Sequence, residues 1–190
     1  MISFLMGLYQ GFFALLERIT NGWFMGLAAR LAFSSVLLMY FLNAALIKVG
    51  SYAWGIFPIP KAGAYAQMFP ALAKSVRYNV DKIDVFPYQI IVFFGTYMEF
   101  ILPALILLGL FTRAASLAFI VFIGVMTYVD ITAHKVGPET IGIFFDRVNN
   151  SAIADQRLLW LVPLVYLMLK GAGAISLDRL LDVMFKREEI

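Results

Sequence analysis

"GLFTRAAS", residues Gly109 to Ser116, is the stretch that decides the fold. Its Arg113 is the only charged residue between Glu99 and Asp130, and long apolar runs lie on both sides of it. A charged side chain at the centre of a bilayer costs about 2.5–3.5 kcal/mol, so Arg113 belongs at the membrane surface. The sequence therefore predicts two spanning helices that are joined by a tight turn and lie antiparallel.

The composition assigns the chain to the membrane proteins. Of its 190 residues, 62% are hydrophobic and 14% are charged, and the mean hydropathy is +0.85. Soluble domains average about 45–50% apolar and about 25% charged residues, so this chain has too little polar surface for a water-soluble globule. Its length suits a single membrane domain over 1–190. A net charge of +3 without a basic cluster argues against a nucleic-acid partner.

The chain contains no cysteine and a single histidine. The lack of cysteine excludes disulfides, a thiol relay and a Cys-ligated iron–sulfur cluster within the chain. The single histidine excludes a haem that takes two histidine ligands from one protomer. One histidine and one neighbouring aspartate are also too few ligands for a metal site, so no metal is expected.

The charge-free runs predict an all-α fold, an integral membrane four-helix bundle. Its spans cover about 23–48, 88–111, 114–134 and 158–175, which puts both termini on one side of the membrane. Arg30 and Lys48 bracket the apolar core of the first span and lie 18 residues apart. They therefore share a helical face about 27 Å apart, and both are expected to snorkel outward.

Two further helices are expected to lie on the bilayer surface. Residues 2–19 are apolar, but two glycines and the pair Glu17 and Arg18 argue against a lone span, so an interfacial helix is predicted. Residues 176–187 form a second, short interfacial helix that Ser176 can N-cap. The long first extramembrane loop, 49–87, is rich in aromatic residues and predicts a folded cap over one end of the bundle.

Glu99 lies near the middle of the second predicted span. Because an intramembrane charge is costly, this side chain should face the bundle and be paired or protonated. Two interpretations stay open: a hydrogen-bonded acid that holds helices together, or a functional acid in the bundle interior. Asn43, in the first span, can likewise hydrogen-bond between helices.

Asp130 and His134 come together at the end of the third predicted span. Their i, i+4 spacing lets the carboxylate contact the imidazole and set its tautomer. Such a pair can pass protons, hydrogen-bond a quinone carbonyl, or only cap a helix end among the headgroups. Arg157, near the start of the fourth span, is expected to supply positive charge to Asp130 or to a ligand carbonyl. The third span also carries a stripe of small or polar character that predicts its inward face. The stripe consists of Ser116, Ile120, Gly124, Thr127, Ile131 and His134, and Asp130 flanks it.

The order of these features resembles the DoxX family of small four-helix membrane proteins. An arginine begins the first span and a lysine ends it, a glutamate lies within the second, and "LLGLFTRAASLAF" forms the hairpin. A histidine then ends the third span, and a glycine-rich exit leads into "SLD". The resemblance covers roughly Ala28 to Leu181. The resemblance implies the four-helix fold. It also implies a role as a membrane partner of redox-stress or sulfur-transfer proteins, or as a subunit similar to that of thiosulfate:quinone oxidoreductase. It assigns no catalytic residue.

Two functions remain open from the sequence. In the first, the chain is a redox subunit that binds a quinone between its helices while a protein partner brings the electrons. In the second, it is a non-catalytic scaffold or assembly partner for a redox or metal-stress system. The expected location is the bacterial inner membrane, with the termini in the cytoplasm because the terminal-side Lys and Arg residues lie close to the spans. The candidate ligand or proton-relay residues are Glu99, Asp130, His134, Arg157, Lys48 and Asn43.

Overall fold

The computed structural model describes residues 2–53 and 57–186, and this part of the chain is mostly helical, with one short β-hairpin and connecting turns. The helices are α1 Ile2–Thr20, α2 Phe24–Lys48, α3 Ala62–Met68, α4 Pro70–Ser75, α5 Ile90–Leu108, α6 Thr112–Thr132, α7 Pro138–Ile141, α8 Leu158–Lys170 and α9 Leu177–Lys186. The antiparallel strands are β1 Val49–Ala53 and β2 Phe57–Pro60. Wide π-type turns, Val85–Gln89 and Ala152–Arg157, lead into α5 and α8, and a 3₁₀ turn covers Val80–Lys82.

Five helical segments among the described residues are long and apolar enough to cross a membrane. They are Ile2–Thr20, Phe24–Lys48, Val85–Leu108, Thr112–Thr132 and Ala152–Lys170. The expectation of an all-α membrane protein is therefore confirmed. The segment predicted to be interfacial, 2–19, is one of the five, and none of its residues is buried. The last predicted helix, 176–187, is found as α9, and its final predicted residue lies outside the described residues.

The hydrophobic core lies where α2, α5, α6 and α8 meet. Phe119 of α6 is fully buried, and its ring lies 5.0 Å from that of Phe33 and 4.9 Å from that of Phe41, both in edge-to-face contact. Ile106 of α5 and Leu164 of α8 complete this centre and are also fully buried. Edge-to-face pairs at this separation contribute about 0.5–1.5 kcal/mol beyond the area that they bury.

The inward face of α6 differs from the predicted stripe. Ser116 is buried as expected, but Gly124 and Ile131 are exposed. The buried face of α6 instead consists of Thr112, Ala115, Ser116, Phe119 and Ile123. Lipid is as apolar as the protein interior, so polarity does not distinguish the inward face of a spanning helix from the lipid-facing one. The large Phe119 ring instead packs into the aromatic core and defines the inward face.

Arg30 of α2 is buried, with 6% of its surface exposed. Its Nε donates to the carbonyl of Ile106 at 3.0 Å, and its other nitrogens donate to the carbonyls of Leu107 and, at 2.6 Å, Ile175. The first two carbonyls lie at the C-terminal end of α5, where the Ile106 carbonyl also accepts from the N–H of Gly109 at 3.2 Å. The prediction that Arg30 snorkels outward is wrong, because the interior supplies its acceptors.

Helix α9 closes the turn between α5 and α6, which lies in the stretch Gly109 to Ser116. Gly109 adopts a left-handed φ of 67°, and a Cβ there would lie 2.7 Å from Arg30 Cζ, so only glycine fits. The Asp178 carboxylate accepts from the N–H groups of Phe111 at 2.6 Å and Thr112 at 2.9 Å, which caps the start of α6. Ser176 Oγ accepts from the N–H of Arg179 at 3.2 Å, as predicted for the start of α9.

The first loop folds into a cap at the other end of the bundle. The sequence "AYAQMFPALAKSV" predicts a short helix, and the structure has α3 and α4 there, whereas the β-hairpin was not predicted. Ala64, Tyr65, Ala73, Ile83 and Val92 form the core of the cap. Burial raises the pKa of the Tyr65 phenol, because the phenolate is disfavoured away from water.

Gly26→Ala is expected to destabilise the protein by about 1–3 kcal/mol, because a new methyl group would overlap neighbouring backbone. An added Cβ would lie 2.5 Å from the carbonyl oxygen of Ala172. Gly124→Ala is the matched control, since a Cβ at this exposed helical position meets nothing within 4 Å. Thermal unfolding in detergent should show a lower midpoint for Gly26→Ala alone. Equal midpoints would mean that α2 and the chain before α9 are not in close contact.

Candidate functional site

Lys48 and Glu99 form an ion pair inside the bundle. The Lys48 ammonium contacts Glu99 Oε1, and the exposed fractions of the two side chains are 3% and 5%. Lys48 is the last residue of α2, and Glu99 lies near the middle of α5, against which α2 packs. The prediction that Glu99 is buried with a polar partner is confirmed. The prediction that Lys48 snorkels outward is wrong, because the Glu99 carboxylate holds it inside.

Two buried polar atoms next to this pair lack a hydrogen-bond partner within the described residues. They are Glu99 Oε2 and the hydroxyl oxygen of Thr96, which lies one turn earlier on α5. A buried polar atom without a partner costs about 1–3 kcal/mol. A ligand oxygen or a water molecule that bonded to these atoms would recover part of that cost. The position is therefore a candidate contact point for a polar ligand group.

Arg157 forms the second ion pair at the same end of the bundle. One guanidinium nitrogen contacts Asp130 Oδ2, and another donates to the Thr127 hydroxyl at 2.6 Å. The predicted pairing of Arg157 with Asp130 is confirmed. Asp130 and Thr127 lie three residues apart on α6, so both face the start of α8. The sequence indicates Thr127 only as a member of the small or polar stripe, although its spacing of three residues from Asp130 also predicts that the two share a face.

Asp155 pairs with Ser151 at the start of the turn that leads into α8. Ser151 Oγ donates to Asp155 Oδ2 at 2.7 Å and accepts from the Asp155 N–H at 3.2 Å, while the Ser151 N–H donates to the carboxylate at 2.9 Å. This reciprocal arrangement is a variant of the capping box. It fixes the turn that carries Arg157 toward α6.

His134 does not pair with Asp130. The only ion pairs among the described residues are the two given above. The His134 Nε2 instead lies 2.8 Å from the carbonyl oxygen of Gln67 in α3, so the imidazole links the end of α6 to the cap. The i, i+4 prediction is wrong because α6 ends at Thr132, and Lys135 turns the chain with a φ of 53°. Nothing in the sequence marked Gln67 as the partner.

Asn43 forms no hydrogen bond or ion pair with the other candidate residues. It is exposed on α2 and makes no hydrogen bond within the described part of the chain. The prediction that it bonds between helices is therefore wrong, since α2 turns a different face, that of Phe41, Ala45 and Lys48, toward its neighbours. The structure thus pairs Lys48 with Glu99 and Arg157 with Asp130, and Asn43 belongs to neither pair.

Comparison of the chain with family models, with curated proteins and with solved structures finds no match. The resemblance to the DoxX family stays a prediction that rests on the order of residues in the sequence. The chemistry of this site follows from the contacts described above: a buried ammonium lies beside a carboxylate oxygen that has no partner in the part of the chain that the structure describes.

Lys48→Met alone is expected to destabilise the protein by about 3–5 kcal/mol, because it leaves the Glu99 carboxyl buried without its partner. Lys48→Met/Glu99→Leu should recover most of that loss, since apolar residues of similar volume replace both charges. Lys82→Met is the control, because Lys82 is exposed and forms no ion pair among the described residues. The thermal midpoints of the four proteins provide the measurement. A Lys48→Met variant as stable as the starting protein would contradict a buried pair.

Proposed function

We propose that the chain is a DoxX-like integral membrane subunit of a redox or stress-related complex that binds a quinone head group beside Lys48 and Glu99. The single observation that carries this proposal is the buried Glu99 Oε2, which has no hydrogen-bond partner among the described residues and lies next to the Lys48 ammonium. A quinone offers a carbonyl that accepts a hydrogen bond and, once reduced, a hydroxyl that donates one. In this site the Lys48 ammonium is a hydrogen-bond donor and the neighbouring Glu99 Oε2 is an acceptor. The site can therefore bond to both the quinone and the quinol.

The chemistry requires two electrons and two protons to convert the quinone to a quinol. A redox protein partner supplies both electrons. The Lys48 ammonium hydrogen-bonds the quinone oxygen and stabilises the negative charge that develops there. In this proposal Glu99 passes protons to that oxygen, and Asp130 and His134 are the further groups that would relay protons to Glu99. The proposed location is the bacterial inner membrane with the termini in the cytoplasm.

The proposed membrane topology is a four-helix bundle of α2, α5, α6 and α8, with α1 and α9 at the interface. The four helices share one hydrophobic core, whereas no residue of α1 is buried. Glu17 and Arg18 lie in the last turn of α1, and a polar helix end of this kind suits the headgroup layer.

A second function, a non-catalytic scaffold or assembly partner, is favoured by a different observation. Most polar groups of the site are already bonded within the chain: Lys48 to Glu99, Arg157 to Asp130 and Thr127, and His134 to Gln67. Closed networks of this kind hold helices and a cap in fixed positions, which serves a protein that presents a surface to partners.

Titration of the purified protein with a short-chain quinone separates the two functions. Decyl-ubiquinone is expected to bind the starting protein, and Lys48→Met/Glu99→Leu is expected to weaken binding about tenfold or more, because a charge-assisted hydrogen bond contributes about 1.5–3 kcal/mol. Asn43→Leu, an exposed position on the same helix, should bind as the starting protein does. Absence of binding to the starting protein, or equal binding by all three proteins, would support the scaffold.

Single cysteines test the topology in a chain that has none of its own. Ser3→Cys and Asn21→Cys, at the two ends of α1, should react with a membrane-impermeant maleimide from one side, and Asn150→Cys should react from the other. All three positions are exposed. Labelling of positions 3 and 21 from opposite sides would make α1 a fifth span. Labelling of positions 21 and 150 from the same side would contradict the four-span bundle.

A further inference from the structure

A groove of about 920 Å³ lies between α9 and the adjoining ends of α6 and α8. This α9 groove contains three cationic side chains, Arg113, Lys170 and Arg179, and an apolar wall that includes Phe111, Leu181 and Phe185. Its volume falls in the range of about 300–1,000 Å³ that is usual for small-molecule sites. It lies at the end of the bundle where α6 begins and α8 ends, away from the cap and from the Lys48–Glu99 pair.

The three cations of the α9 groove have no carboxylate partner within the described residues, whose ion pairs are Lys48–Glu99 and Arg157–Asp130. Arg113 Nε donates to the carbonyl of Met168 at 3.0 Å, which anchors the guanidinium and leaves its two terminal nitrogens available. Because this anchor is a neutral carbonyl, the full positive charge of Arg113 remains in the groove.

Two acids also line the groove, but they do not cancel its charge. Both oxygens of Asp178 accept from backbone N–H groups at the start of α6, so this carboxylate is already engaged. Asp182 is exposed and pairs with none of the three cations. Three cations against two acids leave the lining with a net positive charge.

The apolar side of α9 places the groove at the level of the lipid headgroups. Leu180, Met184 and Phe185 are 54%, 57% and 64% exposed, so they contact little protein and suit the acyl-chain boundary. The neighbouring helices α6 and α8 are candidate spans that begin or end at this groove. The cations therefore lie where phosphate groups lie, and the apolar wall lies where the acyl chains begin.

We propose that the α9 groove is a binding site for an anionic phospholipid. Arg113, Lys170 and Arg179 contact the phosphate, and Phe111, Leu181 and Phe185 contact the glycerol backbone and the first part of the acyl chains. Basic pockets at the ends of spanning helices recognise such headgroups by charge. A free phosphate would use the cations only, so the exposed apolar wall favours the lipid. This site is independent of the quinone proposal, because it shares no residue with it.

Lipid titration of the purified full-length protein, followed by native mass spectrometry, tests the site. The probes are phosphatidylglycerol and phosphatidylcholine with identical acyl chains. The protein is expected to bind phosphatidylglycerol more tightly. Lys170→Gln/Arg179→Gln should weaken that binding by roughly 25-fold, about fivefold for each cation removed, which corresponds to ~1 kcal/mol per cation. Neither side chain makes a hydrogen bond within the described residues, so this variant should fold normally.

Lys82→Gln/Lys135→Gln is the matched control, because it removes two exposed cations at the cap end and changes the net charge equally. It should bind phosphatidylglycerol as the starting protein does. Equal affinity of the starting protein for the two lipids would overturn the proposal, as would equal losses in the two double variants. Displacement of phosphatidylglycerol by excess inorganic phosphate would identify the groove as a free phosphate site and would also overturn it.

Discussion

Buried positive charge is the constraint on which this structure depends. Among the described residues, Arg30, Lys48 and Arg157 expose only 6%, 3% and 8% of their surfaces. A cation that is removed from water and left without acceptors is very costly, so each of the three must find oxygen atoms on a neighbouring element. Arg30 donates to a carbonyl at the C-terminal end of α5, Lys48 pairs with Glu99 of α5, and Arg157 pairs with Asp130 of α6.

These contacts also set the rotation of the helices. Arg30 and Lys48 lie on the same face of α2, five helical turns apart, and both are directed at α5. Two polar contacts on one face hold α2 and α5 in a single register. Apolar packing alone does not fix the register, because many apolar faces pack nearly as well. Arg157 holds α8 against α6 in the same way. The aromatic centre of Phe33, Phe41 and Phe119 then fills the space between the four helices.

The two ends of the bundle differ in chemistry. At the cap end, the two buried cations Lys48 and Arg157 are paired inside the protein, and His134 is bonded to the folded first loop. At the other end, α9 closes the turn between α5 and α6 with Asp178, and the cations of the α9 groove form no ion pair with any described residue. The cap end therefore suits a reaction that uses buried polar groups, or a rigid contact with a protein partner. The α9 end suits binding at the membrane surface.

The sequence by itself determined the positions of the apolar helices, the tight turn at Gly109–Ser116, the burial of Glu99 and the approach of Arg157 to Asp130. These features follow from hydropathy, from the cost of an intramembrane charge and from short connections between antiparallel neighbours, all of which are local or nearly local. Only the tertiary structure decided that Arg30 and Lys48 turn inward, that His134 contacts Gln67 and that Phe119 marks the inner face of α6. A side chain's direction depends on the acceptors that distant helices present, and because lipid and protein interior are equally apolar, the sequence of one helix does not reveal which face turns inward.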